Sequence, residues 1–181
     1  MDEASDRQLV ARTRGGEADA FGELVRRYQT SVYNVCYRLL GDPAEAEDLA
    51  QEAFLRAYRR LGSYDDQRPF GPWMRRVAAN LSLNALQSRK AAMPLDEEFD
   101  EIPGSPLEMP ESSGERREEV ERVRRALLRL PGHYRAVIEL RHYQDMSYDE
   151  IAGTLGIRPG DVRTRLFRAR RLLADWLRQD V

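Results

Sequence analysis

Four prolines, Pro94, Pro103, Pro106 and Pro110, fall in a stretch from Ala91 to Glu118 that shows no sustained helical or strand period. Proline removes a backbone donor and restricts the residue before it, so regular structure cannot run unbroken through such a segment. A chain of 181 residues is thereby divided into segments of 90 and 63 residues, and each must bury its own apolar side chains. The dividing stretch is also acidic: residues 91–121 carry 2 basic and 11 acidic side chains, a net −9. Low hydrophobicity with high net charge predicts an extended, flexible tether. The expected organisation is a domain over 1–90, a linker over 91–118 and a second domain over 119–181.

Apolar residues upstream of the tether recur at the helical period. Phe21, Leu24, Val25, Tyr28, Val32, Val35, Cys36 and Leu39 form one stripe, closed by Gly41. Asp42 and Pro43 supply an N-cap and a first-turn proline for the next helix, whose inward stripe is Ala46, Leu49, Ala50, Ala53, Phe54, Ala57 and Leu61. A short loop from Gly62 to Arg68 precedes a third helix. Pro69 opens it, Phe70, Trp73, Met74, Val77, Ala78, Leu81 and Leu86 line it, and it runs to about Arg89. A shorter helix over Asp6 to Arg14 comes before all of these, ended by Gly15 and Gly16. Opposite the buried stripe of the second long helix lie Asp48, Gln51, Glu52, Leu55 and Arg56, so Leu55 is an apolar side chain on a polar face.

Downstream, Val120, Val123, Leu127 and Leu130 make a stripe that Pro131-Gly132 terminates, and Tyr134, Val137, Ile138 and Leu140 begin another. Ser147-Tyr148-Asp149-Glu150 is a capping box. The helix it opens is short, ends at Leu155, and is followed by Gly156 in a position that calls for a left-handed turn. Pro159 then presets a helix to about Gln179, with Val162, Leu166, Ala169, Leu173 and Trp176 inward. A short helix, a Gly-containing turn and a longer helix form the helix-turn-helix pattern, in which the second helix enters the major groove. The outer face of that second helix carries Arg158, Arg163, Thr164, Arg165, Arg168 and Arg171, residue types that reach phosphates and base edges.

The formal net charge of −2 hides this polarity. Residues 61–90 carry +3 and residues 122–181 carry +6, and the acidic block masks both. Of the 29 basic residues 28 are Arg, with Lys90 the exception, and the planar guanidinium fork suits phosphate and base edges.

These residues resemble the extracytoplasmic-function sigma factors, the small two-domain class of bacterial sigma factors. Asp19-Ala20-Phe21, the run Glu47-Asp48-Leu49-Ala50-Gln51-Glu52-Ala53-Phe54-Leu55-Arg56-Ala57-Tyr58, then Phe70, Trp73 and Ala79-Asn80-Leu81 look like the family's region two. Leu130-Pro131, Tyr134-Arg135, Val137-Ile138-Glu139-Leu140-Arg141, Ser147 to Ala152, Leu155-Gly156-Ile157 and Val162 to Arg170 look like its region four. The resemblance implies an all-α fold of two small helical domains, a helical bundle and a helix-turn-helix. It implies core RNA polymerase and promoter DNA as partners, with an anti-sigma factor as a further one.

Residue by residue, it implies that Asp48, Gln51, Glu52, Leu55 and Arg56 dock on the polymerase clamp. Arg75, Arg76, Asn80, Asn84, Arg89 and Lys90 would recognise and melt the minus-ten element, with Tyr64 to Arg68 as the pocket wall and Trp73 as a core residue with a stacking edge. Many members have Asp where this chain has Asn84. Arg163, Thr164, Phe167 and Arg168 would read the minus-thirty-five element, with Arg165, Arg170 and Arg171 on phosphates. Arg158 stands where members often have a Ser N-cap. The same residues leave open an autonomous helix-turn-helix regulator with a dimerising or sensing N-terminal half, and a helical interaction protein.

Enzymatic chemistry has little to work with. His133 and His142 are the only histidines, Cys36 is the only cysteine, and there is no Gly-rich phosphate loop or HExxH pattern. Asp65-Asp66 reads as loop chemistry. No cofactor or metal is expected. No apolar run approaches the roughly 20 residues of a membrane span, and the first twenty residues lack a signal-peptide pattern, so a bacterial cytoplasmic protein is expected, held at the membrane only through an anti-sigma factor.

Overall fold

The computed structural model describes residues 4–92 and 114–179, with side chains over 4–88 and 118–179. Among these residues the regular structure is helical throughout. In the N-terminal lobe lie α1 (Asp6–Arg14), α2 (Ala18–Leu40), α3 (Pro43–Arg60), a 3-10 turn (Leu61–Ser63) and α4 (Phe70–Ala92). The C-terminal lobe holds α5 (Gly114–Arg129), α6 (Gly132–Ile138), a π-turn (Glu139–Tyr143), α7 (Tyr148–Leu155) and α8 (Pro159–Gln179). No helix among the described residues is long and apolar enough to cross a membrane.

Local signals set most boundaries. Ser5 caps α1 in a capping box with Gln8. Gly41 ends α2 at φ 79°, and its N–H donates to the Tyr37 carbonyl at 2.8 Å. The Asp42 side chain then accepts from the Glu45 N–H at 2.8 Å, satisfying one free donor of α3. The described α4 extends to Ala92, beyond the expected Arg89, and α5 begins at Gly114, inside the expected tether. Most of the tether lies outside the described residues.

The N-terminal core is α2 packed on α3 and α4. Leu24, Val32, Val35, Cys36 and Leu39 of α2 are fully buried against Ala46, Ala53 and Ala57 of α3 and Met74 and Ala78 of α4. Alanines along the inner seam of α3 allow its axis to approach α2 closely, since interaxial distance follows side-chain size. At Gly71 the approach is tighter still: a Cβ there would lie 2.7 Å from Cε1 of Tyr28. Burial pushes the Cys36 thiol pKa up.

The C-terminal core joins Leu127, Leu130, Val137, Leu140, Met146, Ile151, Val162, Leu166 and Ala169. The expected α5 stripe is only half realised. Val120 and Val123 are exposed, and burial starts at Arg124, whose guanidinium lies 5.3 Å from the Tyr37 ring of α2. It continues through Ala126, Leu127 and Leu128 in the last turns of α5, where the helix joins the C-terminal core.

The two lobes meet through the last turns of α2. Arg38 donates to both carboxylate oxygens of Glu139, Nε to Oε2 at 2.7 Å and Nη2 to Oε1 at 3.1 Å, and only 2% of the Glu139 side chain is exposed. Gln144 Nε2 donates to the same Oε1 at 3.0 Å. The π-turn makes this possible: the Gln144 N–H bonds the Glu139 carbonyl five residues back, at 3.2 Å, which brings two side chains together that α-helical spacing would hold apart. The Tyr143 ring completes the seat, its centroid 4.0 Å from the Arg38 guanidinium carbon. Elsewhere between the lobes a cavity of about 440 Å³ separates Leu83, Leu86 and Gln87 of α4 from Ala136, Leu155, Ile157 and Arg165.

Replacing Arg38 by Ala leaves a buried carboxylate without its cation, a change that costs about 3–5 kcal/mol when the charge stays buried. Separating the lobes rehydrates Glu139 and relieves that cost. The expected outcome for Arg38→Ala is therefore a fall of about 100-fold to several thousand-fold in the ratio of closed to open molecules. Small-angle scattering should show a larger radius of gyration with unchanged helix content by circular dichroism; an unchanged radius would show that other contacts hold the lobes together.

Candidate polymerase and promoter interfaces

Three faces carry the residues singled out by the sequence. On α3, the alanine seam turns inward and leaves Asp48, Gln51, Leu55 and Arg56 exposed, with Glu52 half-buried and paired to Arg56 at 2.6 Å. Leu55 is 52% exposed. Tyr58, three residues on, is 47% exposed and rests edge-on against Phe21, with ring centroids 5.0 Å apart. The expected docking residues thus form one face, and Tyr58 extends its apolar centre. Its helical spacing from Leu55 is the signal that could have found it. An apolar centre within a charged rim is the composition of a protein docking surface.

The second face is α4 with the loop before it. Arg76, Asn80 and Asn84, spaced by four, form a stripe toward solvent, with both amides exposed. Arg75 does not join them: it leans back over the first turn of α4, its Nη1 3.3 Å from the Cβ position of Gly71 and near Tyr28. Trp73 is half-buried, its ring 4.8 Å from Tyr64 and 5.5 Å from Phe70, which leaves it an open edge at the head of the stripe. Tyr64 is buried, so it supports the loop from beneath, and its hydroxyl donates to the Arg68 carbonyl. Burial, with Asp6 next, raises the Tyr64 pKa. The Arg68 side chain is exposed and lies 3.4 Å from Asp65. Tyr28, whose hydroxyl bonds Asp6, has its pKa pushed up to about 12, by burial first and the carboxylate second. Arg89 and Lys90 continue α4, and their side chains lie outside the described residues.

The third face is the outer side of α8. Val162, Leu166 and Ala169 turn inward, and Arg163, Thr164, Phe167, Arg168 and Arg171 stand in solvent on the opposite side. Phe167 is 67% exposed, an apolar side chain placed as a contact to a thymine methyl would require. Thr164 spends its hydroxyl proton on the Gly160 carbonyl at 3.0 Å and keeps acceptor capacity. Arg165 is half-buried and lines the interlobe cavity, away from the others. Arg170 approaches His142 Nε2 at 3.1 Å, and burial followed by Arg170 and Arg141 holds the imidazole pKa down. At the start of α8, Arg158 pairs with Asp161 at 3.1 Å, which lowers the Asp161 pKa and leaves an anion in the first turn, where the helix dipole favours it.

Family models match both lobes: sigma-70 region 2 over residues 24–92 and sigma-70 region 4 over residues 120–173. The ECF RNA polymerase sigma factor SigW of Bacillus subtilis (strain 168) is 35% identical over 180 residues, which cover 95% of this chain and 96% of SigW. The chain belongs to the extracytoplasmic-function sigma factors.

Other relatives agree. The RNA polymerase sigma-H factor of Pseudomonas aeruginosa is 35% identical over 178 residues, covering 94% of this sigma factor and 92% of that one. The solved structure of CnrH in complex with the cytosolic domain of CnrY matches 97% of this chain and 99% of that one, at a TM-score of 0.59 and 28% identity. The region 2 match takes in α2 to α4 and the region 4 match α5 to most of α8, so the order of the two lobes is that of the family. Two sigma regions in one chain do not favour the autonomous regulator. Helix α1 lies outside both matches.

The helix-turn-helix rests on the Ser147 cap. Its hydroxyl accepts from the Glu150 N–H at 3.3 Å, and the Glu150 carboxylate accepts from the Ser147 N–H at 2.8 Å and lowers its own pKa in doing so. Gly156 follows at φ 64°. A depressed carboxyl pKa in the folded state contributes stability above the ordinary Glu range, near 4.3, and loses it as pH falls through the folded value. Ser147→Ala should cost about 1 kcal/mol at neutral pH. The backbone half of the box survives in the variant, so thermal unfolding of both proteins should show this gap narrowing below about pH 4, where protonation weakens the bond that the Ser147 hydroxyl donates to the Glu150 carboxylate, 2.9 Å, in wild type alone.

Proposed function

We propose that this sigma factor binds core RNA polymerase, directs it to promoters bearing minus-ten and minus-thirty-five elements, and helps to open the duplex. RNA synthesis itself belongs to the polymerase, and this chain supplies recognition without catalysis. The observation that carries the reading is the presentation of two nucleic-acid faces on the two family-matched lobes: Arg76, Asn80 and Asn84 on α4, and Arg163, Thr164, Phe167, Arg168 and Arg171 on α8.

The roles divide by chemistry. Leu55 and Tyr58, ringed by Asp48, Gln51, Glu52 and Arg56, offer a helix-docking surface for the polymerase clamp. Asn80 and Asn84 both donate and accept, which suits an unstacked base edge, and Trp73 offers a ring for stacking. Arg76, Arg89 and Lys90 add charge for the backbone, and Arg75 does so only if it swings away from Tyr28. Tyr64 to Arg68 form the pocket wall, with the buried Tyr64 supporting it from beneath. On α8, Arg163, Thr164, Phe167 and Arg168 read base edges in the major groove, while Arg170 and Arg171, with Arg165 once the lobes part, serve phosphates, and Arg158 lies at the start of the reading helix. An anti-sigma protein is proposed as a further partner, and the solved CnrH is likewise in complex with another protein, the cytosolic domain of CnrY; the proposed site of action is the bacterial cytoplasm. The proposed domains are 1–90 and 119–181 with 91–118 between them, the ends of α4 and α5 reaching into that segment.

Binding both promoter elements requires the lobes to part. Elements about 25 base pairs apart lie about 85 Å apart along B-form DNA at about 3.4 Å per pair, whereas Arg76 and Glu150 of the two lobes are 3.7 Å apart here. The polymerase would provide the separation, so the free chain binds promoter duplex weakly.

Reconstituted transcription with core polymerase tests the reading. Specific transcripts from a subset of genomic fragments are expected with the wild-type chain. Leu55→Asp should weaken core binding by about tenfold or more, the loss of one buried anchor, while the α8 face still binds its DNA. Polymerase-independent footprints on a palindrome, with no promoter-dependent transcript, would overturn it.

A further inference from the structure

We propose that Arg14, on α1, is a positioning residue for promoter opening, holding the loop that forms the wall of the minus-ten pocket in its receptive shape. The proposal rests on the reading of that loop given above. It concerns a helix outside the region 2 match, which begins at residue 24.

The Arg14 guanidinium spans the start of the loop. Its Nε and Nη2 donate to the Leu61 carbonyl at 3.1 and 2.9 Å, and Nη2 also donates to the Tyr64 carbonyl. These acceptors lie at the end of α3 and its 3-10 turn, where a cation is favoured, and the Leu61 carbonyl also accepts from the Tyr64 N–H at 3.2 Å, so Arg14 adds to a bond the turn already makes. The same guanidinium stands 3.8 Å from the Asp66 carboxylate, with Arg7 of the same helix 3.9 Å from it on another side. An ion pair at that distance and exposure contributes little to stability. The fork on two backbone carbonyls is different, because it fixes main-chain direction.

The far end of the loop is fixed as well. Tyr64 is buried between Phe70 and Trp73 and donates its hydroxyl to the Arg68 carbonyl. Within the span, the Gln67 N–H donates to the Asp65 carboxylate at 3.1 Å. The loop is therefore tied at Leu61, Tyr64 and Arg68, while the side chains of Asp65, Gln67 and Arg68 stay in solvent. An extracted base costs energy to unstack, and a pocket that had to order itself at the same moment would add to that cost. Preorganisation by Arg14 removes the second part, and it reaches the pocket from a helix 47 residues away in sequence.

The test uses holoenzyme assembled from core polymerase and full-length chain, on promoters that differ only at single minus-ten positions. The readout is the ratio of open-complex formation on the preferred base to that on the others. This ratio does not depend on how much of each variant is folded. Arg14→Gln should reduce it by about tenfold or more at one position, as sub-ångström misplacement of a reactive site does. Arg14→Lys, which keeps a donor and the charge without the fork, should recover part of it. Core binding and discrimination at the minus-thirty-five element should stay as in wild type. An equal loss at every base, leaving the ratio intact, would mark Arg14 as structural and overturn the proposal. Arg68→Ala and Asn80→Ala separate the two levels. If they change base preference and Arg14→Gln does not, the proposal fails alone; if no variant changes it, the pocket reading fails and takes the proposal with it.

Discussion

A carboxylate sealed from water needs a cation, and Glu139 obtains its cation from the other lobe. Arg38 closes on both of its oxygens, Gln144 takes a further lone pair, and Tyr143 covers the guanidinium. Such a pair gives little net stability, since dehydrating two ions offsets most of their attraction, but it is selective about geometry. A half-made pair is worse than none. The closed arrangement is therefore either seated through this contact or released, with little between. Helix α2 is central to this choice. Most of its length belongs to the N-terminal core, and its last turns carry Tyr37 and Arg38 to the C-terminal lobe.

The same economy of elements governs the binding faces. Each reading helix has a small inner stripe, Met74, Ala78 and Leu81 on α4 and Val162, Leu166 and Ala169 on α8, and its opposite side is left to solvent. Because almost every cation is Arg, these faces present flat forks rather than point charges. Several forks are already engaged in the closed chain: Arg76 with Glu150, Arg158 with Asp161, Arg170 with His142. Nucleic acid has to compete for them, whereas Arg163, Arg168 and Arg171 are exposed on the outer face of α8.

Local chemistry made much of the fold legible. Asp42, Gly41, Ser147 and Gly156 each act within one helical turn, and the helices begin or end where these residues stand. The exposed docking face of α3 also followed from period alone. Legibility failed where the deciding partner is distant. Glu139 sits between Ile138 and Leu140 of an apolar stripe, and nothing near it signals a cation 101 residues away. The π-turn that aligns Gln144 with it has no period to detect. Arg165 shares the basic face of α8 by type, yet the opposing lobe draws it inward, and Tyr64 reads as loop while Phe70 and Trp73 bury it. Val120 and Val123 keep the helical spacing but are exposed among the described residues.

The single thiol has its own consequence. Cys36 is fully enclosed by the N-terminal core, and that enclosure disfavours the thiolate. Peroxide attack and disulfide exchange both require thiolate at an accessible sulfur. While α2 stays packed, an oxidative signal cannot be written on this chain as a sulfenic acid or a disulfide. The folded chain is therefore silent in thiol redox chemistry.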